Sequence, residues 1–218
     1  MPQLGYWKIR GLAANIIYQM KYQNVDFELV EYEQGDAPDF SRATWMDAKF
    51  TLGLPFPNLP YFIDGDLKLT ETIAIHKYIA DKWNPELLGK DAQQRGVVNM
   101  LAGIICGDFK GAVTMPCYTQ DSKEVVAQIA KDKMPNIVAF LGSNQFLAGN
   151  NVTWIDFYFL ELLNLVNFVW EDLYTAHPTL KTYHDNVSNL PGLKEYLEDP
   201  DCREKHRTFN NKSAKINN

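Results

Sequence analysis

The chain has 218 residues, room for one large or two small domains, with ordinary globular proportions of 46% hydrophobic and 22% charged residues. Its formal net charge of −6 argues against a nucleic-acid phosphate footprint. The three cysteines, Cys106, Cys117 and Cys202, form no C-x-x-C pair, and His76, His177, His184 and His206 show no ligand spacing, so neither a disulfide framework nor a metal site is expected.

In chain order, "LGYWKI" reads as a strand, "LAANIIYQMKY" as a helix and "VDFELVEY" as a second strand, together a βαβ unit. A short helix is expected over 40–49, followed by the Pro-rich loop "GLPFPNLP". Gly65-Asp66 between two short apolar runs signals a hairpin, and "ETIAIHKYIADKW" has helical spacing. This gives an α/β domain over 1–83. Asn84-Pro85 ends its last helix, and 84–90 reads as a linker.

The remainder, 91–218, reads as all-helical, with helices over 92–112, 122–141, 154–169, 178–187 and 192–197. Thr153 and Asp156 are spaced as a capping box, flanked by Val152 and Phe157 at hydrophobic-staple positions. Gly96, Gly103, Gly107 and Gly111 fall on one helical face, at a cost of about 1 kcal/mol each relative to Ala. Close approach of another helix would offset that cost; a flexible or kinked helix is the other reading. The polar ending "NNKSAKINN" is expected to be disordered. Lys8 and Arg10 break the N-terminal apolar run, and Glu161, Asn164 and Asn167 interrupt the stretch 157–170. The expectation is therefore a cytoplasmic protein without membrane contact.

Three segments, "GYWKIRGL" at 5–12, "GDAPDFSRATWMDAKFTLGLPFPNLPYFIDG" at 35–65 and "NNVTWIDF" at 150–157, resemble the cytosolic glutathione transferases, most closely the mu class. The resemblance covers essentially the whole chain. It implies a thioredoxin-like N-terminal domain, an all-α C-terminal domain, a homodimer, and glutathione as co-substrate for transfer to hydrophobic small-molecule electrophiles. A non-catalytic carrier of hydrophobic ligands and a glutathione-dependent isomerase are the alternatives on the same fold.

By itself Tyr6 reads as a core tyrosine with a capped hydroxyl. The resemblance implies instead that it donates a hydrogen bond to the glutathione sulfur, favouring the thiolate over a thiol whose ordinary pKa is about 8.5. Arg42, Trp45 and Lys49 share one helical face and would take the glycine carboxylate, while Trp7 and Leu12 line the same pocket. Asn58, Leu59 and Pro60 match the loop whose proline is cis and whose backbone pairs with the cysteinyl unit. Thr72 would hold the γ-glutamyl carboxylate at a helix N-terminus. Glu71 stands where the mu pattern has Gln, and it could pair with the α-ammonium together with Asp108 from the partner subunit. Met115, Tyr118 and Phe209 are the expected electrophile contacts, and Phe56 the aromatic that enters the partner subunit.

Overall fold

In the computed structural model, which describes residues 1–217, four strands form one mixed sheet of order β2-β1-β3-β4. They are β1 (Gln3–Trp7), β2 (Glu28–Tyr32), β3 (Tyr61–Asp64) and β4 (Leu67–Thr70). β1 runs parallel to β2 and antiparallel to β3, and the β3–β4 hairpin turns at Gly65 as its sequence predicts. Gly5 is required in β1, because an added Cβ would lie 2.1 Å from the ring of Tyr61 on the neighbouring strand.

Helices α1 (Ala14–Tyr22) and α3 (Thr72–Trp83) bury Ile16, Ile17, Met20, Ile75 and Ile79 with Leu4 and Phe62 of the sheet. Against Tyr32 and Tyr61 lies α2 (Ala43–Ala48), whose Trp45 stacks on Tyr61 at 6.2 Å and meets Tyr32 edge-on at 5.2 Å. This helix is shorter than the 40–49 expected, since Phe40 has a positive φ of 44° and Arg42 a non-helical backbone.

The helical half begins after a 3₁₀ turn at Pro85–Leu88. Residues Ala92–Thr119 form one 28-residue helical run, longer than predicted. It comprises α4 (Ala92–Leu101), a π-helical stretch (Ala102–Phe109), α5 (Lys110–Thr114) and α6 (Pro116–Thr119). By length and apolarity this run could cross a membrane, yet Val98, Leu101, Ile105, Phe109, Val113 and Cys117 are packed into the helical core. The glycine stripe has no helix against it: at Gly96, Gly103, Gly107 and Gly111 an added Cβ would meet nothing in the chain. Close helix approach within the subunit is thus excluded, and two of these glycines lie in the π-helical stretch, the usual setting of a distorted ladder.

The rest is α7 (Lys123–Leu141), α8 (Trp154–Val169), α9 (Leu173–Ala176), α10 (Pro178–Ser188), α11 (Leu193–Glu198) and a 3₁₀ turn at Arg203–His206. α8 is buried on nearly every side, which is why its sequence lacks a polar face. Its start is fixed by Asp156, whose carboxylate accepts the Thr153 N–H at 2.8 Å, the Leu147 N–H at 2.9 Å and the Tyr183 hydroxyl at 3.0 Å. The expected disorder of the tail is overturned through residue 217; Asn218 lies outside the described residues. Ile216 is buried, and its N–H donates to the Cys117 carbonyl at 2.9 Å.

Candidate active site

Sheet register brings distant loops to one end of the sheet. Gly5 pairs with Tyr61, so Tyr6 stands beside Pro60; Tyr61 pairs with Thr70, so Glu71 and Thr72 follow in the same row. Trp7 pairs with Tyr32, from which the chain leads to α2. The Leu59–Pro60 bond is cis, as the resemblance implies, and Ala37–Pro38 is a second cis bond that no sequence argument anticipated.

Tyr6 is buried at the end of β1. Burial pushes its pKa up to about 12, and the nearby Leu12 backbone amide opposes that rise only in part. At neutral pH the hydroxyl therefore keeps its proton and has it available for a hydrogen bond. Gly11 makes room for it: φ is +43°, and a Cβ there would lie 2.7 Å from both the Tyr6 hydroxyl and its Cε1.

A cavity of about 160 Å³ opens beside this hydroxyl. Ile9, Gly11, Leu12 and Asn15 form its floor, and Lys110, Thr114, Met115 and Tyr118 one side. Tyr158, Glu161, Leu162 and Leu165 of α8 form the other side, and Phe209 and Asn210 of the tail close it. Of the residues singled out from sequence, Tyr6, Leu12, Met115, Tyr118 and Phe209 meet here. Arg42, Trp45, Lys49, Asn58, Leu59, Pro60, Glu71 and Thr72 do not line this cavity, although Pro60, Glu71 and Thr72 lie at the same end of the sheet as Tyr6. Asp108 is exposed on the π-helical stretch and does not line the cavity, and Phe56 is 80% exposed.

The polar groups of the cavity are ordered by long-range contacts. Glu161 receives Arg10 through two bonds, Nε at 2.9 Å and Nη2 at 2.6 Å, and the Tyr18 hydroxyl at 2.9 Å. Arg10 also lies over the Phe209 ring, 4.1 Å from its centroid, which fixes that ring against the cavity. The Tyr118 hydroxyl accepts the Asn211 N–H at 3.1 Å, so the tail holds this phenol in place. Burial pushes the Cys106 thiol up to about 12, so it stays protonated at neutral pH. Among the described residues, no three metal-ligating side chains are grouped.

Asn15, Lys110, Thr114, Tyr158, Glu161, Leu162 and Leu165 are cavity residues that sequence reasoning did not find. Their signal was present as stripes: 110, 114 and 118 on one helix, and 158, 161, 162 and 165 on another. A stripe shows which residues share a face, but not what that face meets.

Two family models match the chain, one described as glutathione S-transferase, N-terminal domain, over residues 2–81, the other as glutathione S-transferase, C-terminal domain, over residues 107–200. A glutathione S-transferase of Dermatophagoides pteronyssinus is 35% identical across 99% of this chain and 97% of its own. Glutathione S-transferase Mu 1 of Bos taurus is 38% identical across 89% of this chain and 88% of its own. The crystal structure of the glutathione S-transferase Blo t 8 superposes with a TM-score of 0.82 at 30% identity, covering 98% of this chain and 99% of that one. Matched by both domain models and by relatives over nearly its whole length, this chain belongs to the glutathione S-transferase family.

Proposed function

We propose that Tyr6 supports glutathione transfer in this enzyme by donating a hydrogen bond from its hydroxyl to the glutathione sulfur, stabilising the thiolate that attacks a hydrophobic electrophile. The observation that carries this reading is the state of the phenol. Burial keeps it protonated, Gly11 leaves room for it, and it borders the cavity. In Tyr6→Phe the apparent pKa of bound glutathione should rise by about 2 units, equivalent to about 2.7 kcal/mol. Turnover near pH 7 should fall on the order of 100-fold, with the deficit shrinking as pH rises. A thiolate absorbance titration compares the two proteins, and equal apparent pKa values refute the role.

Glutathione is assigned to the domain over 1–83 and the electrophile to that over 91–218, joined by 84–90. The glycine carboxylate takes Arg42, Trp45 and Lys49. Trp45 supports this: its ring is buried, while its Nε1–H has no partner among the described residues and is not sealed from solvent. The cysteinyl backbone pairs at Asn58 and Leu59, ahead of Pro60, with Trp7 and Leu12 alongside. Thr72, first residue of a 12-residue helix, receives the γ-glutamyl carboxylate on free N–H groups. Glu71 and the partner subunit's Asp108 flank the α-ammonium. Met115, Tyr118 and Phe209 contact the electrophile. The working form is a mu-like cytoplasmic homodimer engaged in detoxification, with Phe56 anchored in the partner subunit and no metal in the reaction.

A further inference from the structure

One wall of the Tyr6 cavity carries a polar group that thiolate stabilisation does not use. Asn15, on the first turn of α1, is only 2% exposed, yet it lines the cavity. Behind it lies His76 of α3, fully buried between Trp154 and Tyr158, with ring centroids at 5.3 and 6.0 Å. Both ring nitrogens face amide groups, Nδ1 that of Gln19 and Nε2 that of Asn15 at 2.8 Å. Among the described residues no carboxylate bonds this ring, and burial pushes its pKa down to about 3, so the imidazole is neutral and has one N–H to give.

One of the two amides must therefore present its NH₂ to the histidine. The two ends of a carboxamide have nearly the same shape, so the hydrogen-bond network decides the orientation. Gln19 cannot turn without loss, because its Nε2 donates to the Gln23 Oε1 at 2.9 Å and to the His76 carbonyl at 3.1 Å. Its oxygen is thus fixed on Nδ1, which must carry the proton. Nε2 is then a bare acceptor and takes an N–H from Asn15, leaving the Asn15 carbonyl oxygen on the cavity side. The other strong acceptor of the cavity, Glu161, is committed to Arg10 and Tyr18.

We propose that Asn15 is a specificity-determining residue of this pocket: its carboxamide oxygen, turned inward by His76 and Gln19, accepts a hydrogen bond from a hydroxyl or N–H group on the electrophile. The inference rests on the reading that the cavity beside Tyr6 holds the electrophile. It selects apolar electrophiles with one donor group, since Ile9, Leu12, Leu162 and Leu165 supply the remaining surface. An electrophile without the donor leaves a buried acceptor unpaired, which is the stronger route to discrimination.

The test uses two enals of equal length, one with a hydroxyl on the carbon beside the alkene and one without, each with glutathione. The parent enzyme should favour the hydroxylated enal about 10-fold in kcat/KM relative to their uncatalysed rates, and Asn15→Leu should bring this ratio close to one. General damage to the fold lowers both rates together and leaves the ratio standing. Should Asn15→Leu fail to fold, the parent alone decides through inhibition by the saturated alcohol and its deoxy counterpart, with the same preference expected. A parent ratio near one, or a ratio that Asn15→Leu leaves unchanged, overturns the proposal. So do nitrogen chemical shifts placing the His76 proton on Nε2 rather than Nδ1. If Tyr6→Phe has normal turnover and thiol pKa, the reading of the cavity itself falls and the proposal falls with it; a missing hydroxyl preference beside a defective Tyr6→Phe removes only Asn15.

Discussion

A missing side chain at residue 11 allows the Tyr6 phenol to lie where it does. Gly11 holds φ at +43°, where L-residues are disfavoured by about 1 to 2 kcal/mol, and its open face receives the phenol oxygen. A Cβ at 2.7 Å from that oxygen must displace the ring, because the backbone on either side is tied down. Arg10 N–H is bonded to the Thr208 carbonyl at 2.8 Å and Gly11 N–H to that of Phe209 at 3.2 Å. Gly11→Ala should therefore fold, with an unchanged circular dichroism spectrum, but lose on the order of 10- to 100-fold in turnover through misplacement of the donor. Full turnover would mean that the hydroxyl needs no fixed position.

At the scale of an element, the tail acts as a strap held by charge. Glu31 of β2 accepts Arg203 Nε at 2.8 Å and Arg207 Nη2 at 3.0 Å, and Lys212 bonds Asp36 at 2.7 Å and Glu33 at 3.2 Å. Burial alone would raise the pKa of Glu31, but Arg207 and Arg203 bring it below the usual glutamate value. Lys212 lowers Glu33 and Asp36 in the same direction. A carboxylate depressed in the folded state stabilises the fold above its unfolded pKa and loses that contribution as pH falls through the folded value. Acidification from the ordinary glutamate value of 4.5 downward should thus release the segment 207–217 before the core unfolds. Limited proteolysis with an acid protease, or hydrogen exchange, should show the tail opening first; simultaneous opening of tail and α8 would contradict it. Because Asn211 holds the Tyr118 hydroxyl, activity should decline in the same range.

Across the whole molecule, the two halves meet along α1 and α8, where Arg10, Tyr18 and Glu161 form a buried polar node inside an otherwise apolar contact. Breaking such a pair typically costs about 3 to 5 kcal/mol, so the cavity and the interface between halves share one support. The opposite situation holds at Phe56, a large aromatic left 80% exposed on a Pro-rich loop. An apolar group of that size in water is accounted for when a second subunit covers it. Phe56→Ser should weaken the proposed homodimer by upwards of about 2 kcal/mol, measured by sedimentation equilibrium, with little change in the melting of a single subunit. An unaltered dimer at submicromolar concentration would show that Phe56 serves only its own chain.

Local patterning determined much of this protein. The βαβ unit, the Gly65 hairpin, the α8 start at Thr153 and the Pro-rich loop over 53–60 follow from period, turn chemistry and capping, which act over a few residues. Tyr6, Met115, Tyr118 and Phe209 were legible as cavity residues only through resemblance to a family, because nothing in their own neighbourhoods marks them. What the tertiary structure alone decided is pairing across long separations. Glu161 finds Arg10 at a distance of 151 residues in sequence, and His76 finds Asn15 across 61. The polar-looking tail becomes ordered because the rest of the chain buries Ile216, bonds its N–H through the Cys117 carbonyl, and sets Glu33 and Asp36 opposite Lys212. The glycine stripe misled for the same reason: spacing places four residues on one face, and only the packed molecule shows that face open. Periodicity is a property of the backbone, whereas burial, protonation and the aim of an amide depend on what the rest of the chain brings alongside.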